Sequence, residues 1–520
     1  MSNTFDRRSL LAGAAGAAVA GMVSTNAGAA VKGRRWDHEV DVLVVGFGLA
    51  ACSAAIEAYD TNPKAKILVL EKADEARAGG DTRASGQGLA MAKNKEGMMQ
   101  YHRNLYKPNP VPEDLLESYV DALLELHPWI EARAQEAGQY YIQKYPIYEF
   151  IDLGAADALS GQATILPRKG GLWEAFKKNV LRRNIKVWYE SPATDLIQSE
   201  TGEVLGAIVK QKGKTLRVRA RGGVVLACGG YAANRDMLAN YCGYTDSPPA
   251  GSPFNTGDGI YMLQKAGANL WHMRNRMYSA GFHPAIEVPD FSTAFMRVEQ
   301  PGKGSWFEIA ADSTRFYDES FPYPKTHYKT KMHGHYFDTP HQWVGQVHMI
   351  FDESVRKSGP LVREHGWNNV VEKYSWSKDN SAEVAKGWFL KADSIAELAG
   401  KMGRDPRQVQ AAVDEFNKFC EAGQDPKFNR DPLTLEPIVT APFYAVQIKP
   451  MMISTSGGGR RNPKSEVLDR SGKPIPGLYE AGQLGSMISF LYQNGTYLTE
   501  AMISGRSAGR NAVQRSKSVA

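Results

Sequence analysis

The segment "EVDVLVVGFGLAACSAAIEAYD" spaces Gly46, Gly48 and Ala51 as G-x-G-x-x-A between an apolar strand, Val40 to Val45, and a helix that starts at Leu49 and Ala50. Small residues at those positions let the backbone approach a pyrophosphate, and the helix N-terminus supplies free N–H groups to an anion. The triplet alone is a weak signal. A second strand, "KILVLEK", follows about one βαβ unit downstream and ends in Glu71 and Lys72, where a carboxylate can take ribose hydroxyls. The chemistry implied is the holding of a dinucleotide. Two further stretches carry reactive side-chain types. "SFLYQNGTYLTEAM" sets Tyr492, Gln493, Asn494, Gly495 and Tyr497 just before a helix near the C-terminus, and "RFYDESFPYPKTHY" puts Tyr323 between two prolines. A phenol is a poor base at neutral pH unless a cation or hydrogen bonds assist it, and Lys325 and His327 follow closely enough to do so.

The elements that must position these groups fill a chain of 520 residues, 43% hydrophobic and 23% charged, enough for two or three domains. A formal charge of +6, spread along the chain, does not suit a nucleic-acid binder, so small molecules are the expected partners. Residues 1–29 combine Arg7 and Arg8, a short Ala/Gly/Leu run and Ala27-Gly28-Ala29, and resemble a twin-arginine export signal. That run is too short and glycine-rich to span a bilayer, so no transmembrane anchor is expected in the mature chain, which should be periplasmic and exported folded. Four scattered cysteines do not form a disulfide framework, and the sequence leaves open a bridge between Cys228 and Cys242. The histidines at 333, 335, 341 and 348 lack the Cys or carboxylate spacing of a metal site, so none is expected.

Behind the fingerprint comes "GGDTRASGQGLAMAK", whose Gly79, Gly80, Asp81, Thr82, Ser85 and Gly86 resemble the segment lying along the cofactor in flavoproteins of the fumarate reductase and 3-ketosteroid dehydrogenase superfamily. "RGGVVLACGGYAAN", "NTGDGIYMLQKAGANL" and "KPIPGLYEAGQLG" resemble further motifs of that superfamily in order along the chain. The resemblance implies non-covalent FAD, with Thr194, Gly229, Gly230, Asp258, Glu480 and Gly482 joining the cofactor contacts and Glu480 on a ribitol or ribose hydroxyl. The fold it implies is α/β, a Rossmann-like FAD-binding domain with an inserted α+β capping domain. Residues 38–270 and 440–515 would form the FAD domain and 271–439 the cap, which carries a helix pair broken at Gly403 to Pro406.

At the reacting end, the hinge resembles that of 3-ketosteroid dehydrogenases, in which a tyrosine and a backbone N–H polarise a ketone. The resemblance implies that role for Tyr492 and Gly495, proton removal for Tyr323, and a further site tyrosine in "YYIQKYPIYEF", taken as Tyr148. The carboxylate-clamping arginine of fumarate reductases has no counterpart, since no Arg or Lys occurs between Glu480 and Gly505. The expected activity is interconversion of C–C and C=C bonds next to a carbonyl, on a small apolar substrate, with hydride exchanged with the flavin. The alternatives are a periplasmic enoate or enone reductase fed by a cytochrome or quinol partner, with Arg297 as the candidate carboxylate clamp, and a flavin electron-transfer subunit without its own substrate.

Overall fold

The computed structural model describes residues 35–168, 170–243, 246–278, 284–320, 326–338, 347–363 and 374–518. The expected signal segment, residues 1–29, and Tyr323 lie outside them. Among the described residues no helix is long and apolar enough to cross a membrane.

The His38–Val45 strand runs parallel to Ile67–Leu70 on one side and to the C-terminal half of Lys214–Leu226 on the other. The sheet continues to Lys186–Trp188 at one edge and, through Pro474–Glu480, to Glu466–Leu468 at the other. Alternate residues face opposite ways and both faces are covered. Val42 and Val44 join one buried cluster with the Leu49–Thr61 and Thr496–Ser518 helices, while Leu43 and Val45 join the other. That is why Val42 to Val45 reads as an unbroken apolar run rather than an alternating one.

A second sheet orders Phe295–Met296, Pro284–Ile286, Phe443–Pro450, Val347–Phe351 and Trp306–Ile309, with Leu390–Ala392 also on Phe443–Pro450. The Ile395–Lys401 and Pro406–Ala422 helices cover it, burying Leu398, Val409, Val413 and Phe416 against Phe307, Ile350 and Ala445. Asp405 caps the second helix by accepting the Arg407 N–H at 2.9 Å, and Pro406 occupies its first turn, so the expected break is a stop followed by a new start.

The strand at 443–450, expected with the returning FAD-domain segment, belongs instead to this second sheet. Its aromatic and β-branched residues find strand partners there, and the chain rejoins the first region only from Met452. Two antiparallel ribbons carry the crossing, Arg276–Tyr278 with Met452–Thr455 and Leu270–Trp271 with Gly458–Gly459. All four cysteines are free, so no Cys228–Cys242 bridge forms.

Candidate functional site

A cavity of about 830 Å³ runs from the Gly46–Ala50 turn, past Glu71 and Lys72, to His327, Tyr492 and Asn494. Gly46 has φ +107°, and a Cβ there would sit 2.3 Å from the Ala227 carbonyl, so this glycine is required by an adjoining strand. Gly48 is the glycine that opens the backbone to the cavity. The Leu49 N–H, in the first turn of the helix, donates to Thr82 Oγ1 at 3.0 Å, which ties the Gly79–Gly86 segment to the phosphate-binding end. Glu71 is buried on the wall and accepts the Ala73 N–H at 2.8 Å, and burial raises its pKa. Lys72 Nζ meets Asp258 Oδ2 at 2.8 Å across the rim.

Farther in, Asp81 accepts the Ser252 N–H at 2.9 Å, Asn255 Nδ2 at 2.7 Å and Gln483 Nε2 at 2.9 Å. Gln483 Oε1 is left buried and without a partner at the cavity wall. An orphaned acceptor of that kind is costly unless a ligand hydroxyl fills it. Ser454 Oγ, also buried and unpartnered, lines the same space. A glycine turn at a helix N-terminus, a ribose-side carboxylate and unfilled polar atoms in an elongated cavity fit the phosphate, ribose and ribitol groups of FAD.

Of the expected cofactor contacts, Gly46, Gly48, Leu49, Ala50, Glu71, Lys72, Gly80, Asp81, Thr82, Ser85, Gly86, Gly229, Asp258 and Gly482 line the cavity. Others stand elsewhere. The Glu480 side chain turns back from its strand, accepting the Gly459 N–H at 3.0 Å, with the wall beyond it made by Ala481, Gly482 and Gln483. Burial pushes its pKa up to about 8. Gln483, three residues on, lines the cavity where Glu480 does not. Thr194 is exposed, with its hydroxyl turned to the Ile208 carbonyl at 3.5 Å, and Ala193 faces the cavity in its stead. Gly79 lies under the Trp173 ring and Gly230 against Thr455, each a packing glycine set behind the wall, and Ala51 is buried within its helix.

The reacting end is built by the hinge, the cap and the loop before Phe150. The Gly495 N–H donates to Tyr492 Oη at 2.9 Å. The two groups expected to converge on a ketone are thus bonded to each other, and Gly495 packs against Gly88 and Ala90 instead of facing the cavity. The hinge turns too tightly for both donors to point outward. Burial first, and then the nearby Glu149 charge, hold the Tyr492 pKa well above the ordinary phenol value. Tyr492 therefore keeps its proton, and its oxygen already accepts one bond. Tyr497, 4.9 Å away ring to ring, has its pKa pushed up to about 12 by burial and pairs with Ser456 Oγ at 2.5 Å.

Tyr148 is 40% exposed and lies outside the cavity. Ile147 lines the wall, and Glu149, 1% exposed, reaches inward. Glu149 Oε2 accepts the Asn494 N–H at 2.7 Å and lies 3.1 Å from His327 Nε2. His327 Nδ1 faces the Tyr278 carbonyl at 3.0 Å, so both ring nitrogens stand opposite oxygen acceptors. The His327 ring stands edge-on to Tyr492 with centroids 5.0 Å apart. Arg297 does not reach the site. It is fully buried in the second region, paired with Glu308 at 2.9 Å and stacked on Trp306.

The fold and this cavity define a dinucleotide-binding flavoprotein with an aromatic, proton-bearing pocket. Residues 41–496 match the family described as FAD binding domain. The chain belongs to that family and is an FAD-dependent oxidoreductase, with relatives among both fumarate reductases and 3-ketosteroid dehydrogenases. It is 26% identical to vinyl phenol reductase of Lactiplantibacillus plantarum, over 91% of this chain and 96% of that one. It is 28% identical to 3-oxosteroid 1-dehydrogenase of Mycolicibacterium smegmatis, over 63% of this chain and 57% of that one. NADH:fumarate oxidoreductase of Klebsiella pneumoniae is 26% identical over 92% of this chain, which spans about half (48%) of that protein's length. In fold it resembles 3-ketosteroid Δ1-dehydrogenase from Sterolibacterium denitrificans, with a TM-score of 0.71, 22% identity, and 92% and 100% of the two chains covered. A flavocytochrome c3 fumarate reductase gives 0.67 at 21% identity, covering 92% of this chain and 79% of that one.

Proposed function

We propose that this protein interconverts a C–C and a C=C bond next to a carbonyl group, with Tyr492 holding the carbonyl oxygen. The carrying observation is the state of that phenol. Its oxygen accepts the Gly495 N–H, its pKa is raised so that it stays protonated, and it lines the cavity. The Gly495 bond polarises the O–H, so a single strengthened donor takes the place of the expected pair. FAD supplies the two-electron hydride chemistry. Interconversion also moves one proton at the adjoining carbon, which we assign to the Phe321–Tyr328 segment, through Tyr323 as the resemblance implies or through His327, which lines the cavity with Nε2 3.1 Å from the Glu149 carboxylate.

Reduction is the second reading, with electrons from a cytochrome or quinol partner, and the relatives named as reductases favour it. Without a clamp at Arg297, a carboxylate substrate would need another cation. The test is anaerobic stopped-flow with Tyr492→Phe. Loss of one such donor should slow flavin reduction by 3-ketosteroids, or reoxidation by enones and enoates, by about 10²–10³, with FAD retained. An unchanged rate with the substrate that works best on wild type would refute the assignment.

A further inference from the structure

Gln87 stands between Gly86 and Gly88 with φ +60°, a left-handed backbone that a residue with a side chain adopts only at a cost. Its side chain is 1% exposed and lines the cavity. Oε1 accepts the Leu172 N–H at 2.8 Å, which fixes which end of the amide faces the helix. Nε2 is left buried with no partner. A donor held in a strained turn and unpaired inside a cavity wants an acceptor from a ligand.

Arg168, four residues before Leu172 in the chain, also lines the cavity. Besides His327, the basic residues lining the cavity are Lys72, Arg77, Arg168 and Arg363. Lys72 pairs with Asp258, Arg77 with Asp74 and Arg363 with Glu299. Arg168 makes no ion pair or side-chain hydrogen bond with any described residue, and it is exposed to the open space.

We propose that Gln87 and Arg168 form a substrate subsite for an anionic oxygen, a carboxylate or a phenolate, with Gln87 Nε2 donating to it and Arg168 supplying the charge. This rests on the functional reading above and deepens it by naming what the substrate carries besides its reacting bond. It would also supply the cation that Arg297 does not.

Gln87→Glu is the sharpest variant, because its carboxylate can still accept the Leu172 N–H while the group facing the cavity changes from a donor to an anionic acceptor. Oxidised holoenzyme is titrated, by the change in flavin absorbance, with benzoate against benzyl alcohol and with 4-ethylphenol against ethylbenzene at pH values either side of the phenol's ionisation. Benzoate, the ionised phenol or both should bind about tenfold or more tightly than the neutral partner. Gln87→Glu and Arg168→Met should each remove that preference, Arg168→Lys should keep part of it, and benzyl alcohol binding should not change. The proposal is overturned if neither anion is preferred, or if Gln87→Glu sheds FAD while ligand affinity is unaltered, which would assign the amide to the cofactor. Because these titrations involve no turnover, they fail independently of the Tyr492→Phe kinetics.

Discussion

The Leu49–Thr61 helix presents its N-terminus to the cofactor and is pressed from behind by Thr496–Ser518, and the contact depends on two glycines four residues apart. A Cβ on Gly505 would lie 2.3 Å from the Ala50 carbonyl oxygen, and one on Gly509 would lie 2.1 Å from that of Ala54. Real Cβ atoms essentially never approach closer than 3.0 Å, so Gly505→Ala must push the helices apart by about 0.7 Å at that point. The obstacle is backbone and cannot rotate away. Alanine gains about 1 kcal/mol over glycine in a helix interior, while overpacking costs about 1–3 kcal/mol and more where the neighbour is rigid. The net expectation is a loss of about 1–2 kcal/mol for Gly505→Ala, with a larger loss for valine. Ala50 lines the cavity, so the same displacement shifts the N–H groups meant for the pyrophosphate and should weaken FAD binding. Gly400, in the Ile395–Lys401 helix with open space around it, is the matched control, and its alanine variant should stabilise. Urea midpoints of apoprotein and fluorescence titration with FAD measure both effects. If Gly505→Ala were as stable as Gly400→Ala, the close helix contact would be wrong.

Burial raises the Glu480 pKa to about 8, from the ordinary carboxylate value of 4.5, so the folded state binds its proton more tightly than the unfolded chain does. That contribution to stability is complete below the unfolded value and is lost as pH rises through about 8, by an amount on the order of 3–5 kcal/mol. Glu480→Gln should therefore flatten the fall in stability between about pH 4.5 and pH 8, as read by denaturant midpoints across pH, and an unaltered slope would exclude Glu480 as its source. Glu149→Ala strands the Asn494 N–H and His327 Nε2, which should cost about 3–5 kcal/mol, while Glu149→Gln keeps an acceptor and should cost less. A double-mutant cycle of Glu149→Gln with His327→Gln should show coupling, and strictly additive losses would mean that the two side chains do not share a proton.

The nucleotide end was legible because its signals are local. Gly46, Gly48 and Glu71 are separated by one strand and one helix, and the constraint on each, close backbone approach or a strand-end carboxylate, acts through the residue's own type. The helix pair after Ser394 was equally readable, since Asp405 and Pro406 stop and restart a helix without tertiary help. Glu480 and Thr194 were misread by a few residues or one. The motif showed that a strand end reaches the cofactor, but not which of several neighbours points to it. Residues 443–450, expected to travel with the returning FAD-domain segment, pair in the second sheet, because their pattern suits a strand in either place and pairing is settled by distant partners.

At the reacting end the sequence determined the inventory, tyrosines in a glycine-bearing hinge and an aromatic loop with a cap between them. Tertiary structure decided the rest: that Gly495 bonds Tyr492 instead of standing beside it, that Glu149 turns inward where Tyr148 turns out, and that Arg297 is spent on Glu308. The Glu149 contacts join segments 178 and 345 residues apart in the chain, and the Gly495–Tyr492 and Arg297–Glu308 bonds, though only 3 and 11 residues apart, depend on how the hinge and the second sheet fold. Types and spacings along one chain say which groups can bond, but only the packing of the whole molecule settles which partner each one reaches.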